Sequence, residues 1–230
     1  MNLEKRYLTH SKGGEGMFNA VTNSVEGYKG MEVPYSIVSK SEECNNIAII
    51  LPGAGYTVQS PLLHFSTSVF LNKSFDVLQI NYRYNDKAYD DFSMHEICEA
   101  ISFDVNLIID HVFRENSYEN IYIAGKSLGT IPMGGVLKRD EFTNAKAIWL
   151  TPLIHREDVL KSLMESKNKG LLFIGDNDPY YTSERFEKAK QNPNVTAKLI
   201  PESNHILEYN EKTLESIDVL KRIITEIDRF

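Results

Sequence analysis

The sequence predicts an α/β fold built on a mostly parallel central sheet. Three observations carry that expectation. Short, β-branched, almost wholly apolar runs recur along the chain, amphipathic helical stretches separate them, and 230 residues suit one domain of this kind better than two. A strand with helices on both faces has no polar side to show, so it reads as a continuous apolar run rather than as an alternation.

Residues 1–45 are mixed, with glycines at 13, 14, 16, 27 and 30, and Met31–Val38 reads as a short strand. They are assigned to N-terminal strands, and 46–230 to the core of the same single domain. Ile47–Leu51 (IAIIL) is the first run of the buried type. Phe75–Asn81, Asn120–Ala124, Ala145–Leu150 and Gly170–Ile174 follow, and Val195–Ile200 alternates in the manner of an edge strand. Between them, Glu96–Phe113 places Ile97, Ile101, Val105, Ile108 and Val112 on one helical stripe. The C-terminal stretch does the same with Leu214, Ile217, Leu220, Ile224 and Ile227, and shorter helices are expected at Leu128–Lys138 and Thr182–Gln191. Nineteen residues separate the runs ending at 150 and beginning at 170, room for one helix and not for a cap domain.

Composition narrows the function classes. The 25 Lys and Arg against 32 Asp and Glu leave a net charge of −7, which disfavours a phosphate backbone as partner. The longest apolar run has five residues, far too few to span a bilayer. Met1–Tyr7 (MNLEKRY) is polar and not followed by an apolar stretch, so a cytoplasmic location is expected. Two cysteines, Cys44 and Cys98, are too few for a disulfide framework and read as buried small apolar groups. His64, His95 and His111 are dispersed with no H-x-x-x-H pair, so neither a metal nor an organic cofactor is expected.

The chemistry concentrates in Gly125-Lys126-Ser127-Leu128-Gly129. This is a G-x-S-x-G segment after an expected buried strand and before an expected helix. A tight strand-to-helix turn lifts the serine hydroxyl above the strand end, and glycines on either side remove the side chains that would collide there. A serine nucleophile needs a base, and the base needs an orienting carboxylate. Only His155 and His205 lie downstream. His205 (Glu202-Ser203-Asn204-His205) falls between the last strand and the C-terminal helix, on the sheet edge where Ser127 emerges. His155 precedes any suitable acid and is expected to start a helix. The acid lies in Gly175-Asp176-Asn177-Asp178-Pro179, where Asp178 is preferred over Asp176, although both residue types also simply form turns. An oxyanion would meet the amide of Leu128 and, from Pro52-Gly53-Ala54-Gly55-Tyr56, that of Ala54, with Gly55 or Tyr56 as alternatives.

From Ile47 onward these segments together resemble the α/β-hydrolase superfamily. Among its members the chain looks like the small, lidless dienelactone hydrolase and carboxylesterase kind. The resemblance implies the order Ser127, Asp178, His205, since G-x-x-D at the acid turn maps onto Gly175 and Asp178. One departure is Pro52-Gly53 where many members carry His-Gly. The implied activity is hydrolysis of small carboxylic esters or thioesters through an acyl-enzyme. Amide, peptide or C–C hydrolysis with the same residues, or a binding protein on the same fold, are the alternatives. Pocket walls are expected from Tyr56, Tyr82, Leu153 and Tyr180, on loops after the strands. Lys126 and Arg83 read as salt-bridged or solvated, and the oligomeric state is not legible.

Overall fold

A computed structural model describes residues 18–41 and 44–230; the glycines at 13, 14 and 16 lie outside them. Eight strands form one sheet: β1 (Asn19–Glu26), β2 (Glu32–Ser39), β3 (Asn46–Leu51), β4 (Asp76–Ile80), β5 (Asn120–Lys126), β6 (Lys146–Leu150), β7 (Gly170–Gly175) and β8 (Val195–Ile200). Their spatial order is β1-β2-β4-β3-β5-β6-β7-β8. β1 pairs antiparallel with β2, and β2 with β4. Every pairing from β4 through β3 to β8 is parallel, and β8 is an edge strand as its alternation predicts.

The helices are α1 (Pro61–Asn72), α2 (Met94–Glu115), α3 (Met133–Val136), α4 (Glu157–Glu165), α5 (Ser183–Lys190) and α6 (Thr213–Arg229). Their starts follow from side chains. α1 has proline at its first position, where no amide hydrogen is needed. α2 opens on a reciprocal cap in which the Ser93 hydroxyl accepts from the Glu96 amide while the Glu96 carboxylate accepts from the Ser93 amide.

Two apolar layers explain the unbroken apolar strands. Ile47, Ile49 and Leu51 of β3 face the layer filled by α2, α4 and α5, while Ala48 and Ile50 face the layer filled by α1 and α6. Ile97, Ile101, Val105, Ile108 and Val112 are all buried in the first layer, as their spacing predicts. Each such side chain contributes roughly 1.5–3 kcal/mol by leaving water.

The C-terminal stripe corrects its expectation. Leu214 is 75 % and Ile217 53 % exposed, and the buried face is Ser216, Val219, Ile223 and Ile227. Apolar residues occupy more than one side of this helix, so periodicity alone leaves its rotation undecided; packing against α1 and the sheet sets it. The cysteines are a second correction, because both are free and only half-buried. Cys44 uses its thiol to donate to the Ser74 carbonyl at 3.0 Å. The expected helix at 128–138 is a single 3₁₀ turn over 127–130 followed by the short α3. Among the described residues no helix is long and apolar enough to cross a membrane.

Candidate active site

At the end of β5 the chain turns abruptly. Ser127 takes φ +51°, a left-handed conformation that non-glycine residues rarely adopt. The flanking glycines are required by contact: a Cβ on Gly129 would strike the carbonyl oxygens of Leu51 and Pro52, and one on Gly125 would strike the Met133 sulfur and the Gly129 carbonyl. The Thr130 hydroxyl donates to the Ser127 carbonyl at 2.6 Å and so braces the turn from below.

The Ser127 hydroxyl lies 2.8 Å from His205 Nε2, and His205 Nδ1 lies 2.7 Å from Asp178 Oδ2. Asp178 is 3 % exposed, and its second oxygen accepts from the Tyr180 amide at 2.9 Å. Asp176 goes elsewhere. It is exposed and accepts from the Glu202 amide at 2.5 Å, so it stitches the acid turn to the following loop instead of meeting the histidine. The Asn177 amide donates to the Ser203 carbonyl at 3.1 Å and adds a second stitch. No side chain fits at Gly175, whose Cβ would run into Ser203. Asn204 shapes the His205 loop itself, its side-chain oxygen accepting from the amides of Ile206 (3.0 Å) and Glu208 (3.1 Å). Ser216 of α6 closes the loop's far end by accepting from the Tyr209 amide at 2.9 Å.

The loop after β3 lies directly on this turn. A Cβ on Gly53 would sit 3.3 Å from Ser127 Cβ. The Gly53 amide donates to the Tyr56 carbonyl at 3.0 Å, which folds the loop back and leaves Ala54 exposed at its tip, while Leu128 is buried.

Of the four residues expected to line a pocket, Tyr180 is half-buried and meets the His205 ring edge-on with centroids 5.0 Å apart. His155 precedes α4 and stacks on the other side of Tyr180 at 4.5 Å. Burial first, then the neighbouring Arg156 and Arg185 charges, hold the His155 pKa below its usual value. Tyr56 is half-buried, and its phenol oxygen accepts from the Leu62 amide at 3.0 Å. Leu153 and Tyr82 are buried. Tyr82 is committed to a different contact from the one expected, because its hydroxyl donates to the Pro52 carbonyl at 2.6 Å and it stacks on Tyr84, leaving little surface for a ligand. A cavity of about 470 Å³ opens beside the site, between α1, the His205 loop and α6, with Tyr56, Ile206, Leu207 and Leu220 in its walls.

A profile of the alpha/beta hydrolase domain matches residues 45–230. The chain belongs to the α/β-hydrolase family. Three solved structures illustrate the likeness to other α/β-hydrolases. An alpha-beta serine hydrolase homologue from Coxiella burnetii is 15 % identical with a TM-score of 0.69 and alignment over 97 % of this chain and 99 % of the other. A cold-adapted esterase from an Arctic intertidal metagenomic library is 12 % identical with a TM-score of 0.69 over 97 % and 98 %. A serine hydrolase without lid from Xanthomonas campestris is 15 % identical with a TM-score of 0.63 over 90 % and 94 %. At these identities the likeness is one of fold. No curated protein sequence matches the chain significantly.

Within this α/β-hydrolase the residue least foreseen is Lys126. It is neither solvated nor salt-bridged among the described residues; it is fully buried. The apolar run of β5 stops at Ala124 and gives no local signal for it; Thr151 and the His205 loop pack over it. Arg83, by contrast, is exposed. Thr130 and Tyr82 carry no motif, and only the folded geometry reveals that they brace the Ser127 turn and the loop above it.

Proposed function

We propose that this protein is a serine hydrolase of small carboxylic esters or thioesters. The observation that carries the reading is the continuous hydrogen-bonded relay from Ser127 through His205 to Asp178, at 2.8 and 2.7 Å, on a strained turn after a central strand. Esterase and serine hydrolase neighbours of the same fold support it.

In this reading His205 Nε2 takes the proton as the Ser127 hydroxyl attacks the carbonyl carbon. Asp178 holds the imidazole with its proton on Nδ1 and stabilises the cation that forms. The amides of Leu128 and Ala54 receive the oxyanion, which is where the charge develops and where fixed dipoles act most strongly. His205 returns the proton to the leaving alcohol or thiol, and water then releases the acyl group by the same relay. Tyr180 stands edge-on against the imidazole. No step calls for a group beyond these side chains, amides and water.

The test is fluorophosphonate labelling together with turnover of short-chain aryl esters. Wild-type protein is expected to label and turn over, and Ser127→Ala to do neither. Equal labelling of Ser127→Ala would overturn the reading, and a clear preference for aminoacyl amides over esters would move it to an amidase.

A further inference from the structure

Among the described residues Lys126 is the only lysine or arginine that is buried. Its Nζ donates to the main-chain carbonyl of His205 at 2.8 Å and to the Thr151 hydroxyl at 2.5 Å, and lies 5.1 Å from the centre of the Tyr56 ring. Three segments therefore meet on one ammonium: the residue before Ser127, the end of β6, and the loop that carries His205. Thr151 is itself unusual. It is a β-branched residue at φ +41°, directly after β6, with no exposed surface. A conformation this costly persists only where the surroundings over-determine it; here the Thr151 amide donates to the Phe173 carbonyl at 2.7 Å while its hydroxyl meets Lys126.

We propose that Lys126 is a positioning residue, fixing His205 at the distance from which it can take the Ser127 proton. The inference rests on the hydrolase reading above. The internal bonds of the loop shape it through Asn204, Ser203 and Ser216, but those partners hold its flanks. Lys126 holds the backbone of His205 itself. The nucleophile and the base are thus referenced to one another through adjacent residues, Lys126 and Ser127, and not only through the long chain between them. A four-carbon stem reaches both acceptors from β5, which a shorter neutral side chain would not. The charged group facing the ammonium is the Asp178 carboxylate, which is spent on His205 and Tyr180, so nothing neutralises the ammonium by direct contact. Burial brings its pKa down to about 7, and the Asp178 charge opposes that fall.

The experiment compares Lys126→Met, Thr151→Val and Thr151→Ser with wild type in aryl-ester kinetics, fluorophosphonate labelling and pH–rate profiles. Small displacements of a catalytic group cost up to about 100-fold in rate. Lys126→Met is expected to lose roughly 10- to 100-fold in kcat with KM changed less than about threefold. Thr151→Val keeps the shape but removes one acceptor and is expected to lose roughly 3- to 10-fold, while Thr151→Ser restores wild-type kcat. The requirement for an uncharged His205 acts in every variant, and the wild-type profile is expected to contain in addition an ionisation near pH 7 that Lys126→Met lacks and Thr151→Val displaces. Should Lys126→Met fail to fold, the Thr151 pair decides, through the loss in valine, its rescue by serine and the displaced profile. Unchanged kcat in both Lys126→Met and Thr151→Val, a change in KM alone, or a lowered plateau with an identical pH profile would overturn the inference. Each of these leaves Ser127→Ala unlabelled. Labelling of Ser127→Ala equal to wild type instead removes the hydrolase reading and the inference with it.

Discussion

Asp178→Asn is the substitution that most sharply separates a working relay from a decorative one. The two oxygens of Asp178 are already assigned: Oδ1 accepts from the Tyr180 amide at 2.9 Å and Oδ2 meets His205 Nδ1 at 2.7 Å. An asparagine has one acceptor to offer. The Tyr180 amide is a donor only, so the asparagine oxygen turns toward it and the NH₂ group faces Nδ1. Nδ1 then has to accept, the imidazole proton moves to Nε2, and no lone pair remains for the Ser127 hydroxyl. Loss of the correct tautomer in such a relay costs about 10⁴-fold in kcat, or about 5.5 kcal/mol at 1.36 kcal/mol per tenfold. Stability changes little, because shape and both contacts survive. Asp176→Asn is the matched control. It keeps an acceptor for the Glu202 amide and is expected to retain activity within about threefold. The assay is steady-state hydrolysis of a short-chain aryl ester beside thermal unfolding of both variants. Asp178→Asn within tenfold of wild type, or Asp176→Asn falling as far as Asp178→Asn, would refute the argument.

Other outcomes follow from the packing and from burial. Gly129→Ala drives a Cβ into the Leu51 and Pro52 carbonyls, which are backbone and cannot rotate away; thermal unfolding is expected to report a loss of about 1–3 kcal/mol or more, with reduced labelling of Ser127. Ile223→Ala is expected to cost about 2–5 kcal/mol in urea unfolding, whereas Leu214→Ser on the same helix stays within about 0.5 kcal/mol. Tyr82→Phe leaves the Pro52 carbonyl without its donor and is expected to cost about 1–3 kcal/mol, read by thermal unfolding, with a fall in kcat as the loop above Ser127 loosens. Lys126 makes stability depend on pH. Its folded pKa of about 7 lies below the usual 10.5, so between those values the unfolded chain holds more protons and folding gains stability as pH rises. The gain is at most about 1.4 kcal/mol per pH unit, and urea unfolding at pH 7 and at higher pH is expected to show it in wild type and not in Lys126→Met.

The parts of the molecule legible from sequence are those where one local pattern has one structural solution. The strand runs from Ile47 to Ile174 are apolar on both faces because helices cover both faces, and β8 alternates because it lies at the edge. The G-x-S-x-G segment is legible because its glycines are forced by contacts that no other residue satisfies. The convergence of Ser127, Asp178 and His205 is foreseeable from loop order, since parallel strands deliver their following loops to the same edge of the sheet. What escaped depends on long-range contact. The rotation of α6 is set by α1 and the sheet, the half-exposure of Cys44 by the Ser74 carbonyl beside it, and the burial of Lys126 by segments 25 and 79 residues away. Composition places Tyr82 on a loop near the site without saying whether its hydroxyl is already spent, and here it is spent on the Pro52 carbonyl.

The docking of α6 also sets what the site depends on. The His205 loop is closed at its far end by Ser216 of α6, and α6 is held by Val219, Ile223 and Ile227 in the layer it shares with α1. The sheet, the Ser127 turn and the acid loop all precede residue 201, whereas the proposed base lies between β8 and α6. The proposed base is therefore tied to the packing of a helix that contributes no side chain to the relay.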